Sequence, residues 1–354
     1  MPSATQSMSR WVTKGRAAAL AAAVGLSLAA AGCGEALPEP IGLVPADASF
    51  VASVELGRIL LDPDVASAFG SLPFGEDGPG SLEEALAQVE EETGIDLLQF
   101  SSIVVFGVFD PAASPEEQTG DHMAFGPGGP FAILARGSFD GDTIFERVRS
   151  LSDAEVREDE YRDHALLIVA KEDGTEIAMA VLGGEVFVVG TLGALTSVID
   201  VLEDGEGALS GPLLDAYDAL GDPLVKAAFA VPAGAFDALG GGVTDRFPIP
   251  FDPALLSDIQ AVGFAADKEA DLVSITLTLE YASAATAEEA ADYFGALLTL
   301  AAPFLPPGAA AGLIEAIEVL QAEATVTISL SATIEQLTDA AEELGADGTS
   351  LIPG

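Results

Sequence analysis

Hydrophobic and polar positions alternate with a period of two in several stretches of the chain. From Leu272 to Glu280, Val273, Ile275, Leu277 and Leu279 fall on one side and Ser274, Thr276 and Thr278 on the other. Thr325 to Leu330 does the same with Val326, Ile328 and Leu330. A strand with one apolar and one hydroxyl face belongs to an antiparallel sheet covered on one side. Three other stretches, Ile103–Phe109, Ala165–Ala170 and Glu185–Val189, are continuous apolar runs. Asp173-Gly174 and Gly183-Gly184 are hairpin signals that link three successive strands.

Helical stripes stand between these strands. Ser81 and Glu84 form a capping box ahead of Leu82, Ala85, Leu86 and Val89, and Gly94 can end that helix. Thr143 and Glu146 predict a second box, ahead of Ile144, Val148 and Leu151. Leu195, Val198, Ile199 and Leu202 make a third stripe. Thr286 and Glu289 predict the start of a helix carrying Ala290, Tyr293, Phe294, Leu297, Leu298 and Ala301, and Thr333 and Gln336 the start of a last one.

Set side by side, the elements repeat. Strand Phe131–Phe139 leads into the Thr143 box as Leu272–Glu280 leads into the Thr286 box, each after a preceding strand (Ile103–Phe109, then Ile259–Ala266). Val186–Gly205 and Val326–Gly345 both read strand, turn, amphipathic helix, glycine, and Phe50–Leu56 and Ala227–Val231 both open as strands. The expected fold is α+β, with antiparallel sheets, helices packed on one face, and an internal duplication of a β/helix/β-hairpin/helix/β/helix unit. The repeats are expected over residues 47–222 and 223–345, with a tail over 346–354. The first has extra hairpin strands at 156–181, and the second an apolar, proline-broken stretch from Leu297 to Leu320.

The first residues have another character. Arg10, Lys14 and Arg16 precede an apolar run, Ala17–Ala31, with no acid among them. That is the charged region and short apolar core of an export signal, too short for a comfortable membrane-spanning helix. The run closes on Leu28-Ala29-Ala30-Ala31-Gly32-Cys33, which resembles the lipobox of bacterial lipoproteins, with Ala30 where leucine is more usual. The resemblance implies a signal over residues 1–32, a diacylglyceryl thioether on Cys33, and a short tether over 33–46. Gly34, rather than Asp, follows the cysteine, which by analogy with enteric lipoproteins implies the outer membrane. Cys33 is the chain's one cysteine, so no intramolecular disulfide competes for it. Over the rest, the layout looks like that of acidic α+β envelope lipoproteins built from duplicated sheet-and-helix units.

Charge narrows the partners. The chain has 57 acids against 13 bases, a formal charge of −44, and Arg10, Lys14 and Arg16 all lie ahead of Cys33. A field of this sign repels phosphate backbones and argues against nucleic acid. It suits a saline habitat in which salt screens self-repulsion, so the folded body is expected to gain stability with added salt.

Catalytic chemistry finds little footing. The two histidines, His122 and His164, lack metal-ligand spacing and have no free thiol to join them. Gly137-Ser138-Phe139-Asp140-Gly141 has the wrong spacing for a nucleophile elbow. Phosphate-binding glycine loops are missing, and Trp11, in the signal, is the single tryptophan, which argues against carbohydrate clefts. Calcium is the least implausible ion, at the acidic turns Glu76-Asp77-Gly78, Asp140-Gly141-Asp142 and Glu203-Asp204-Gly205-Glu206, though none fits an EF-hand. The Ala296–Leu320 stretch reads as two core helices joined by a proline turn, or as the wall of an apolar pocket. The expectation is therefore a non-enzymatic envelope scaffold or binding protein without cofactors, metal or catalytic residues. A carrier of lipid or another apolar ligand is the alternative and a hydrolase the third reading.

Overall fold

The computed structural model describes residues 37–64, 81–93, 96–108, 129–152, 155–170, 176–232, 234–235, 254–301 and 308–346. The chain divides into two compact units, Met1–Pro38 and Glu39–Gly354, and the fold below is that of the second. Cys33 lies outside the described residues.

Among the described residues twelve strands are formed: β1 (Phe50–Val54), β2 (Phe100–Gly107), β3 (Phe131–Gly137), β4 (Glu155–Tyr161), β5 (His164–Ala170), β6 (Glu176–Leu182), β7 (Val186–Thr191), β8 (Val225–Ala230), β9 (Ile259–Glu269), β10 (Leu272–Tyr281), β11 (Ile317–Ala322) and β12 (Thr325–Thr333). They make one antiparallel sheet in the order β11-β12-β10-β9-β8-β1-β2-β3-β7-β6-β5-β4. This corrects the expectation of separate sheets: β1 and β8, which open the two expected repeats, pair directly, Phe50 opposite Phe229 and Val54 opposite Val225. The fold is a mixed α and β one on a single sheet, with two wings that meet at this joint.

The helices are α1 (Leu56–Leu60), α2 (Leu82–Thr93), α3 (Gly141–Leu151), α4 (Leu192–Asp204), α5 (Pro212–Asp218), α6 (Ala254–Ser257), α7 (Ala284–Ala301), α8 (Ala309–Glu315) and α9 (Ile334–Ala346). Glu84 N–H donates to Ser81 Oγ at 3.1 Å, as the first capping box requires. The last box is reciprocal: Gln336 N–H donates to Thr333 Oγ1 and Thr333 N–H to Gln336 Oε1. The middle two are corrected. Asp140, not Thr143, caps α3, and Ser283, not Thr286, receives the Thr286 N–H ahead of α7. In each case the helix starts about one turn earlier than expected, and the acceptor three residues before the expected cap takes amides of that first turn.

Directly opposed residues of an antiparallel sheet share a face, so the register follows each face across the molecule. On the first face lie Leu167, Met179, Val189, Ile133 and Val105 in one wing, and Val262, Leu279, Val326 and Val319 in the other. There α3 seats Ile144 and Phe145 on Leu167, Met179, Val181, Phe187 and Val189, and α7 seats Ala287 and Ala290 on Leu279, Tyr281 and Val326. On the second face the alternate residues Ile168, Ala178, Ala180, Leu182, Val186 and Val188 are equally buried. α4 runs along β6 and β7 and covers them with Leu195, Val198 and Ile199. Helices on a single face are thus corrected as well. The apolar runs of β5 and β6 bury consecutive residues, which demands cover on both sides.

Three further expectations change. Residues 40–46, expected as tether, belong to the body: Leu43 and Val44 are fully buried, and Ala46 N–H donates to Gly207 O at 2.8 Å. The Ala296–Leu320 stretch does carry two helices, the end of α7 and α8, but its last residues belong to strand β11. Gly345 falls inside α9, whereas Gly205 does end α4 in the left-handed region, at φ 63°. Gly183 and Gly184 make the predicted β6–β7 turn at positive φ.

Candidate binding surface

The two faces diverge most at the β1–β8 joint. On the first face, β1 offers Phe50, Ala52 and Val54, β8 Val225, Ala227 and Phe229, β9 Phe264 and Ala266, and β10 Ile275 and Leu277. Every one of these positions is apolar. Phe50 stacks on Phe229 at 6.1 Å between centroids. Its ring lies over β2 because Gly107 has no side chain; a Cβ there would sit 2.5 Å from the Phe50 ring. α3 covers this face over β5 to β7 and α7 covers it from Leu277 outward. Between them Phe229 is 42%, Phe264 43% and Ile275 36% exposed. Three large apolar side chains on three adjacent strands thus face solvent together, where isolated exposed ones would call for no explanation.

On the second face the same joint is polar. Tyr217 of α5 is buried and donates to Ser53 Oγ at 2.7 Å, and burial pushes its phenol up to about 12. Lys226 stands opposite Ser53 on β8, lies 4.0 Å from the Tyr217 ring centroid and donates to Gly221 O at 2.6 Å. Burial lowers the ammonium's pKa, and Asp222, Asp218, Glu55 and Glu39 oppose that. Asp218 is shifted up, chiefly by burial. These groups border a cleft of about 160 Å³ with Pro40 and Ser102. Gly263 lets α5 come close: a Cβ there would lie 2.9 Å from Ala216 O and 2.2 Å from Thr278 Oγ1. The Thr278 hydroxyl donates to that carbonyl at 3.2 Å. The tyrosine and the threonine each donate their hydroxyl hydrogen across the contact between α5 and the sheet, and Lys226 gives one of its three N–H groups to Gly221 just beyond α5, so this polar group works as a latch.

At two of the three acidic turns weighed for calcium, Asp140, Glu203 and Asp204 are held by protein contacts. Asp140 accepts from the amides of Asp142 and Thr143 and from the Thr143 hydroxyl, and those bonds hold its carboxyl below the ordinary value. Asp204 pairs with Arg162 at 2.8 Å, which lowers its pKa in the same way, and Glu203 meets His164 Nε2 at 2.8 Å. Glu76–Gly78 and His122 lie outside the described residues. Among the described residues no cluster of His, Cys, Asp and Glu is arranged to hold a metal, and no helix is long and apolar enough to cross a membrane.

Sequence reading missed the exposed patch and the latch. The alternation of β10 marks Ile275 as apolar-facing, but periodicity names a side and does not tell what covers it. For the latch the one signal was the rarity of lysine, which makes Lys226 conspicuous in so acidic a chain.

No family model matches the chain, and no curated protein matches it. Among solved structures, crystal form III of TP0453 is similar over 88% of this chain and 100% of its own, with 11% identity and a TM-score of 0.42. Crystal form IV covers 84% of this chain and 94% of its own at 11% identity and 0.41. Crystal form I covers 87% and 98% at 9% identity and 0.41.

Proposed function

We propose that this chain is a lipid-anchored, non-enzymatic binding protein of the cell envelope, at the outer membrane in preference to the inner. In this reading it takes a partner with an apolar surface on the first face of its sheet. The observation that carries the reading is the shared exposure of Phe229, Phe264 and Ile275. Burying such side chains is worth about 25 cal/mol per Å², and in an otherwise highly charged surface they give association a direction. An open face suits a protein partner better than a carried lipid, since a carrier must enclose acyl chains. The clefts at Phe139–Gly184 and at Tyr217 are open to solvent and lined by polar as well as apolar groups.

The anchor rests on Ala30-Ala31-Gly32-Cys33. Two or three acyl chains hold stably where one does not. Wild-type protein should incorporate labelled palmitate and sediment with membranes, and Cys33→Ser should do neither while its circular dichroism stays unchanged. An unlabelled wild type would remove the anchor.

The internal duplication is part of the proposal. Its support is the strand order: outward from the joint run β1-β2-β3-β7-β6 on one side and β8-β9-β10-β12-β11 on the other. Each wing has a hairpin, a helix on the first face and then a strand that returns beside the hairpin out of sequence, β7 beside β3 and β12 beside β10.

A photo-crosslinking residue at Phe264, on the open face, and another at Ser274, on the opposite face, provide the functional test. Capture of one envelope protein from Phe264 alone supports the reading. Lipid adducts alone would turn it into a carrier, and equal capture from both positions would overturn it.

A further inference from the structure

Among the described residues the sheet ends in two edges, β4 and β11, and the unpaired N–H and C=O groups along an edge are a template for another strand. The two edges differ in chemistry. β4 carries Glu155, Arg157, Glu158, Asp159 and Glu160 in seven positions, and Arg157 bridges Asp159 at 2.9 Å and Glu176 at 3.1 Å. A strand docking there must strip water from a row of charges. β11 carries one charge, Glu318, and no proline, and its register with β12 is unbroken from Ile317–Leu330 to Ala322–Thr325. Val319 turns in beneath α7, while Leu320, on the opposite face, is 60% exposed.

We propose that β11 pairs antiparallel with β11 of a second copy of this chain, about a two-fold axis perpendicular to the sheet at Leu320. In that register Leu320 opposes its own counterpart, Val319 opposes Gln321, and Glu318 opposes Ala322. No acid faces an acid, and the most exposed leucine of the edge is covered. All opposed pairs share a face, so α7 of both copies lies on the same side and the sheet continues through the joint. The molecule already makes this kind of joint internally, where β1 and β8 pair edge to edge with Ala52 opposite Ala227. A closed two-fold also accounts for a single occupant, since each copy spends the less charged of its two edges.

One six-residue strand pair buries less than the roughly 1,200 Å² of a stable complex, and two chains of charge −44 repel. Association is therefore weak and strengthens as salt screens that repulsion. Sedimentation equilibrium of the full chain carrying Cys33→Ser, at low salt and at roughly 1 M salt, should give the monomer mass and then twice that mass. On this background Leu320→Lys and Leu320→Glu move the net charge in opposite directions, yet both set like charges face to face. Both should abolish the doubled mass with unchanged circular dichroism. A monomer at every salt and concentration overturns the proposal. So does a dimer that survives both substitutions, or one that yields only to Leu320→Glu and so follows net charge. The result is independent of what the first face binds.

Discussion

The two wings of the sheet solve the same burial problem in different ways. In the wing from β3 through β7 and β6 to β5, consecutive residues are buried: Leu166, Leu167 and Ile168 on β5, and Ala178, Met179 and Ala180 on β6. α3 covers one side and α4 the other. In the wing of β10 and β12 the first face is buried under α7, while the second shows Ser274, Thr276, Ser329 and Ser331. The first wing is a three-layer core and the second a two-layer one. Rigidity therefore concentrates in one half of a continuous sheet, and the half with spare surface adjoins the exposed apolar patch.

The largest test of this contrast compares matched truncations. Leu167 is fully buried under α3, with a buried neighbour on either side in the strand. Leu167→Ala should cost about 3–4 kcal/mol, because neither helix layer can collapse into the space. Leu277 packs only at the margin of the α7 cluster, and Leu277→Ala should cost about 1–2 kcal/mol. Urea unfolding of both variants decides it. Equal losses would mean that the wings are equally well packed.

Much of this contrast was legible in the residues. The apolar run Ala165–Ala170 and the alternation of Leu272–Glu280 already separate a strand covered on both faces from one covered on one face. Placing all helices on a single face contradicted the first of these signals. β11 was hidden because Ile317–Ala322 follows an apolar, proline-broken stretch in which a short edge strand and a helical turn share one composition. The single sheet was hidden for a different reason: pairing of β1 with β8 joins residues 171 to 179 positions apart (Val54 with Val225, Phe50 with Phe229), and no local pattern encodes it. The latch of Tyr217, Ser53 and Lys226 exists only after that pairing forms.

A titration tests the buried end of β10 in the second wing. Glu280 is buried on the second face, where its carboxylate accepts from Thr325 Oγ1 at 2.6 Å. Burial raises its pKa above the ordinary 4.5, and the Thr325 bond opposes this. A carboxyl whose folded pKa is raised holds its proton to higher pH in the folded state, so stability increases as pH falls through that window. Asp140 and Asp204, both lowered, act the other way and withdraw stability once pH falls below the ordinary 3.8 of an aspartate. The melting temperature should therefore peak in mild acid. Glu280→Gln should flatten the rise by about 1–3 °C. A rise unchanged in that variant would assign it to relief of the overall charge instead.

The smallest effect is the sharpest test, because it concerns two threonines two residues apart on one strand. Thr278 is fully buried and donates to Ala216 O beneath α5. Thr278→Val keeps the shape but leaves that carbonyl without its donor, at a cost of about 1–2 kcal/mol. Thr276, opposite Ser329, is half-buried and borders an open cleft with Leu220, Asp222 and Pro223. Thr276→Val should stay within about 0.5 kcal/mol of the parent, since valine suits a strand as well as threonine and water still reaches the site. Denaturation midpoints of the two variants then locate the end of the second helix layer to within one residue pair. If Thr276→Val costs as much as Thr278→Val, the hydroxyl face is covered after all and the two-layer description of this wing fails.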